Sequence, residues 1–425
     1  MKFKGIMFSL ISISLISFTA IYGIFDDTEP SEKVVNDISG EITFATNRTD
    51  KKDEIAKIIK EFEEIHPEVK VNLETIGNVE EILRRKASVG ELADVTLVPS
   101  SIRVEEFKDY FLPLNDLGFS NDTTYNYNMG TDENGDLYAM SSSMIWIGIV
   151  YNKQAFKEAG IYDIPKTNKE FFEDCIKLKE KGITPMGLNY KQSWFINEWA
   201  ESIPYLYEPN IEKNVIEDKK EILSEKSGMF KSLEFARNIY QNGYSEKDPL
   251  NYEWEQCKKD VKDGKTAMVV WSSDFQNQLV EMGASKSDIG MFPLPESNLI
   301  NIIGDYEIAV SKNTKFPEVS KEFYKFLFEH SRYAEAVNIT SSMKDNSNSQ
   351  EMLKEINDFN ITVKYQADTL KSLSKDDIRN QTMFLNNKRI LELDYEFVQN
   401  YISLKDTKSL REDINKQWKN IKYET

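Results

Sequence analysis

Six tryptophans punctuate 425 residues, and several stand close to carboxylates, amides or hydroxyls. The densest segment is Trp194-Phe195-Ile196-Asn197-Glu198-Trp199; Trp271-Ser272-Ser273-Asp274 and Ser141-Ser142-Ser143 with Trp146 are similar, and Gly304-Asp305-Tyr306 pairs a carboxylate with a phenol. Aromatic plates flanked by such groups hold a molecule with an apolar face and a polar edge. That is recognition chemistry. Nothing comparable points to turnover: the chain has no G-x-S-x-G, no phosphate-binding glycine loop and no H-E-x-x-H. With two histidines, His66 and His330, a His-rich zinc site is disfavoured, and both read as structural. Asp132-Glu133-Asn134-Gly135-Asp136 imitates a calcium loop. Its glycine comes two positions early and no bidentate Glu follows, so Asn134-Gly135 reads as a hairpin turn. Paired acids such as Glu63-Glu64 and Glu105-Glu106 read as solvated helix faces.

Composition narrows the partners. Lys+Arg 53 against Asp+Glu 71 gives a net charge of −18, which repels polyphosphate and argues against nucleic acid. A hydrophobic content of 40% supports a folded core, and the length suits two domains of about 150–200 residues each. Cys175 and Cys257 allow at most one internal disulfide. Met1-Lys2-Phe3-Lys4 precedes an apolar run from Ile6 to Phe25 and an acidic exit at Asp26-Asp27, the pattern of an export signal. The run, about 20 residues, is also long enough to span a bilayer. Residues 1–25 therefore read as a cleaved signal or a retained anchor, and 26–39 as a linker. No cysteine follows the run for lipid attachment, and Lys2 and Lys4 would keep that end cytoplasmic.

The elements that must position these residues alternate. Strands are predicted at 41–46, 69–73, 93–98, 144–150, 267–271 and 289–294, and the apolar segment 302–310 follows them. Helices are predicted at 52–65, 79–88, 154–159, 169–181 and 319–329, a loop at 341–350 and a helical tail to Trp418. This alternation predicts an α/β fold with helices on the sheet faces. Ligands of such sheets gather at the carboxyl ends of the strands, here Asn47 and Arg48 after the first and Ser100 and Ser101 after the third.

Several segments then resemble one family. Phe62-Glu63-Glu64-Ile65-His66-Pro67-Glu68-Val69-Lys70-Val71 resembles the first helix–strand of extracellular solute-binding proteins of the maltose-binding type. Gly90-Glu91-Leu92-Ala93-Asp94-Val95 is similar to that family's G-x-x-P-D-V entry, with Ala93 in the proline's place. Gly135-Asp136-Leu137-Tyr138-Ala139, Tyr151-Asn152-Lys153, Ala159-Gly160-Ile161 and Pro165-Lys166-Thr167 resemble its crossover. Gly264-Lys265-Thr266-Ala267-Met268 and Asp288-Ile289-Gly290-Met291-Phe292-Pro293-Leu294-Pro295 follow in the family's order.

The resemblance implies a periplasmic-binding-protein-like type II fold. Its two discontinuous lobes, 40–147 with 304–342 and 148–303 with 343–425, would close on a carbohydrate and deliver it to an ABC permease. It implies a monomer, no cofactor, no catalysis and contact with the membrane only through the N-terminal segment. It makes Trp194 a stacking platform, with Asn197, Glu198 and Trp199 beside it. Asp274 stands where the family commonly carries a stacking tryptophan, which is displaced here to Trp271. Asp305 and Tyr306 occupy a glycine-rich turn beside the cleft, and Ser142, Ser143 and Trp146 approach the hinge. Two rivals stay open: a membrane-tethered ligand sensor, and a binding protein for a peptide, polyamine or iron. A carbohydrate-active enzyme built on paired carboxylates finds no positive support in the sequence.

Overall fold

The structure is a computed structural model and describes residues 38–421. The expectations for residues 1–25 and for most of the linker lie outside the described residues. Among the described residues no helix is long and apolar enough to cross a membrane.

The strands are β1 Gly40–Thr46, β2 Val69–Thr75, β3 Val95–Leu97, β4 Ala139–Ser141, β5 Met144–Ile145, β6 Ile147–Asn152, β7 Thr184–Gly187, β8 Thr266–Ser272, β9 Ile289–Phe292, β10 Leu299–Gly304, β11 Glu307–Val310 and β12 Thr362–Tyr365. They build three sheets. A five-stranded sheet has the order β2-β1-β3-β11-β4, a four-stranded sheet β7-β8-β6-β9, and a three-stranded sheet β12-β10-β5. The expected α/β layering follows directly from sequence period. Helix Lys52–Ile65 buries Ile55, Ile58, Ile59 and Phe62, one stripe at helical spacing, against the first sheet. Helix Asn168–Glu180 starts where Thr167 and Glu170 form a reciprocal capping box.

The small sheet carries the chain between the two larger ones. β5 lies between β4 of the first sheet and β6 of the second, and β10 returns from β9 to β11. The two crossings pair antiparallel, Ile303 with Ile145 and Gly304 with Met144. The apolar segment over 302–310 is thus divided, one strand ending at Gly304 and the next beginning at Glu307. Between the two strands the Asp305 N–H donates to Ser143 O (3.2 Å) and the Ser142 N–H to Tyr306 O (2.9 Å), which carries the antiparallel register from Gly304 opposite Met144 through to Glu307 opposite Ser141. A Cβ on Gly304 would come within 2.1 Å of Ser141 Oγ, so this close approach requires glycine.

The loop expected over 341–350 stops short, because helix Ser347–Asp358 begins at an Asn346 cap that accepts from the Asn348 and Ser349 N–H groups. That helix packs through Met352, Leu353 and Ile356 beside Trp146 and Met291, on one face of the second sheet. The tail contributes Phe384, Val398, Tyr401 and Trp418 to the core on its other face. Asn134-Gly135 turns as expected: Asp132 Oδ1 accepts from the Asn134 and Asp136 N–H groups (2.8 and 3.0 Å), and Thr131 bridges Leu137.

Replacing Gly304 by alanine should cost about 1–3 kcal/mol through overpacking at the crossing. Chemical denaturation of the variant measures this directly, and an unchanged midpoint would contradict the close approach described here.

Candidate functional site

The facing edges of the two large sheets meet at the crossing strands. Along β10, Asn301 and Ile303 leave on one face, opposite to Ile300 and Ile302, which enter the core. Asn301, Ile303 and Ile147 form one wall of a cavity of about 390 Å³. The rest of its lining includes Glu201, Ser202, Tyr205 and Glu212 from one side, and Gln366, Thr369, Leu370 and Asn380 from the other. This volume falls inside the ~300–1,000 Å³ of small-molecule sites. An aromatic ring among acids, amides and hydroxyls is the lining expected for a polar ring-bearing ligand.

Two residues beyond Ile303 stands Asp305. Its side chain is exposed to solvent, with protein groups crowded around the carboxylate. That crowding, reinforced by the nearby Asp274 carboxylate, pushes the Asp305 carboxyl up to about 6, while the Tyr306 N–H and the Arg48 guanidinium pull the other way. Burial also raises Asp274, against hydrogen bonds from Ser272 and Gln278. Arg48, Asp274 and Asp305 thus converge from both large sheets. Beside them the two bodies touch directly. Lys51 pairs with Glu281, Asn277 Nδ2 donates to Asn338 O (3.2 Å), and Asn338 Nδ2 donates to Glu281 Oε1 (2.9 Å).

The remaining expected site residues divide sharply. Trp194 is 46% exposed, with its edge against Trp254 (5.3 Å) and Trp271 (5.0 Å). Trp271 is half-buried and stacked on Phe195 at 5.0 Å, so it backs Trp194 more than it faces solvent. Trp199 is a correction: it is 1% exposed and packs on Phe235 inside the core. Trp146 is another, 3% exposed against Phe359. Arg48 spends its donors on Asp50 (2.9 and 2.7 Å) and on the Val337 carbonyl (2.8 Å). Ser100 donates through N–H and Oγ to Glu80, Ser101 is exposed, and half-buried Asn47 ends the first strand. Ser142 and Ser143 serve the crossing through their backbones, and Ser143 Oγ is buried without a partner. Half-buried Tyr306 lies near Glu80. Asn197 and Glu198 do not line the cavity; Glu198 is raised by burial and hydrogen-bonds Ser202, which does.

The sequence reading missed Tyr205, Glu212, Asn301, Gln366 and Asn380. The signal available was a polar Asn301 interrupting an apolar strand.

A family model described as bacterial extracellular solute-binding protein matches residues 45–331. This chain belongs to that family. Its members are binding proteins rather than enzymes, and the family places this solute-binding protein outside the cytoplasm. A multiple sugar-binding protein of Streptococcus mutans is 23% identical over 292 residues, covering 64% of this chain and 67% of that relative. Among solved structures, the fold is similar to a binding protein of an ABC transporter from Bifidobacterium animalis subsp. lactis, in complex with mannobiose. The TM-score is 0.73 at 22% identity, over 92% of this chain and 96% of that one. A sugar transporter from Bacillus licheniformis in complex with stachyose gives 0.65 at 17% identity, over 89% and 99%. The two-lobed binding-protein fold is thereby established for this solute-binding protein.

One buried acid under the site makes stability depend on pH. Glu307 opens β11, burial pushes it up to about 7, and its Oε1 has no hydrogen-bond partner. Because this is above the unfolded value of about 4.3, the folded state holds a proton that the unfolded chain releases. The contribution is fully present below about pH 4 and is lost as pH rises through about 7. Glu307→Gln should remove this decline and be more stable than the parent at pH 8. Melting curves across pH 4–8 that keep the parent's slope in the variant would contradict the assignment.

Proposed function

We propose that this protein captures a mono- or oligosaccharide by closure of its two lobes and hands it to the transmembrane subunits of an ABC permease. The observation that carries the reading is the cavity at the crossing strands, whose Tyr205 ring stands among acids, amides and hydroxyls. A pyranose offers an apolar face and a hydroxyl rim to such a wall. The sugar ligands named for the relatives in Streptococcus mutans, Bifidobacterium and Bacillus support the same class.

The moving bodies in this reading are 40–147 with 304–342 and 148–303 with 343–425. β5 and β10 act as the hinge, because few residues there need absorb the rotation. Contacts of Lys51 and Asn338 with helix Asp274–Glu281 then latch the closed form, which ligand favours by binding across both lobes. The protein works as a monomer, held outside the cell by its N-terminal segment or secreted.

A panel of manno-, chito- and raffinose-type oligosaccharides should raise the melting temperature of the purified protein, since ligand binds only the folded state. No shift with any of them, the protein being folded, would refute the carbohydrate assignment. Trp194→Ala should weaken binding by about 1–3 kcal/mol, as a lost ring contact does. Trp199→Ala should instead cost about 3–5 kcal/mol of stability as a core truncation. Calorimetric titration and denaturation of the two variants separate these outcomes; reversed effects would contradict the placement of the two indoles.

A further inference from the structure

We propose that Asn126 is a positioning residue for the candidate site. It fastens helix Gln366–Lys371, one wall of the cavity, to the first body, so that a ligand lying between that helix and Tyr205 spans both bodies; this rests on the carbohydrate reading above. Asn126 stands in the first body, just ahead of the short turn of helix Tyr127–Gly130. Tyr127 packs on the first core, and the Tyr138 N–H donates to Gly130 O (2.9 Å), which ties the segment to the start of β4. Asn126 is buried, and its φ of +56° is a left-handed conformation that asparagine adopts more readily than most residues. Held so, its side chain reaches two partners in other elements. Oδ1 accepts from the Ala367 N–H (3.2 Å), and Nδ2 donates to Ile302 O in β10 at a longer 3.5 Å.

The first bond answers a need of the helix. The opening N–H groups of any helix have no partner inside it, and a buried one left unpaired costs about 1–3 kcal/mol. Ala367 stands in that first turn and is buried, while Tyr365, at the cap position, makes no side-chain capping bond. Asn126 supplies the cap from a distant part of the chain instead. Its neighbours reinforce the seam. Tyr125 stacks on Tyr365 (5.7 Å, 2° between planes), its N–H donates to Ser342 O (2.8 Å), and Lys371 Nζ donates to Asn128 Oδ1 (3.4 Å) at the far end of the helix. Each residue advances about 100° around a helix. Gln366, Thr369 and Leu370 therefore share one face, which lines the cavity, and Lys371 leaves on another to reach Asn128. The facing wall belongs to the second body. Tyr205 lies in helix Ile203–Tyr207, whose Leu206 and Tyr207 join the core of the second sheet, and Asn380 is held to Glu217 (3.2 Å). Helix Lys375–Ile390, which carries Asn380, begins anew at a Ser374 capping box, so residues 372–374 form a joint between the two walls.

The test replaces Asn126 in the full-length protein. Asn126→Gly keeps the left-handed turn, which glycine adopts freely, and removes both side-chain bonds. Asn126→Asp keeps an acceptor of the same shape for the Ala367 N–H. Without sugar, amides over 366–371 should exchange hydrogen about tenfold faster in Asn126→Gly than in the parent, with those over 203–212 unchanged. Calorimetric titration with mannotriose, chitotriose and raffinose follows. A sugar that binds the parent should bind Asn126→Gly about tenfold more weakly and Asn126→Asp within about threefold of the parent. Should Asn126→Gly fail to fold, Tyr125→Leu, which breaks the stack on Tyr365, carries the same readouts at about threefold. A merely structural role lowers the melting temperature and leaves the affinity of the folded variant untouched; that result would overturn the proposal and leave the carbohydrate reading standing. Unchanged exchange over 366–371, or an equal loss of affinity in Asn126→Asp, would overturn it too. Binding of none of the three sugars by the parent would defeat both readings.

Discussion

Everything in this molecule depends on one short piece of antiparallel pairing, Ile303 with Ile145 and Gly304 with Met144. Those residues lie in the small third sheet, through which the chain passes between two larger sheets that share no strand. The chain crosses at β5, builds most of a second body and returns at β10, so neither body is continuous in sequence. Because the crossings are short and paired, they fix the two sheet edges face to face while leaving a narrow line about which they can turn. The candidate site follows from that geometry. Strand ends expose backbone and loops at exactly one edge of each sheet, and the crossing brings those edges together.

The same constraint explains the local chemistry. Asp305 is exposed, yet protein crowds its carboxylate. The turn that takes the chain from β10 to β11 holds it there, near Asp274 from the other large sheet. Gly304 is required there because Ser141 approaches too closely for any side chain. Glu307, one residue into β11, is carried under the site as a buried acid. Three features, the close approach at Gly304, the crowded carboxylate of Asp305 and the buried acid Glu307, thus fall within four residues of the return crossing. Stability is spent at this point, and the cores around Phe44 and Phe292 supply it.

Most of the fold was legible because periodicity reports burial. Helix Lys52–Ile65 and strands β1, β2, β8 and β9 follow from apolar spacing alone, and the family-like segments, in order, supplied the crossings. The site was only partly legible. A tryptophan's composition does not say whether its ring is a platform or a core residue. Trp194 and Trp199 are five positions apart, about 140° around a helix, so both cannot face one ligand. Trp194 is the exposed one. Arg48 looked available until Asp50, two residues on, claimed its guanidinium. The cavity lining escaped notice for a different reason. Tyr205, Glu212, Asn301, Gln366 and Asn380 come from separated segments with no shared motif, and only the crossing gathers them.

In the proposed function, ligand is held where the two bodies meet at the crossing strands. Hydrogen–deuterium exchange with and without a saturating oligosaccharide tests it most directly, since amides report local opening segment by segment. Protection should appear together at 47–51, 274–281, 301–306 and 366–381, drawn from both bodies and from the hinge. Protection confined to a single body, or absent from 301–306, would contradict it.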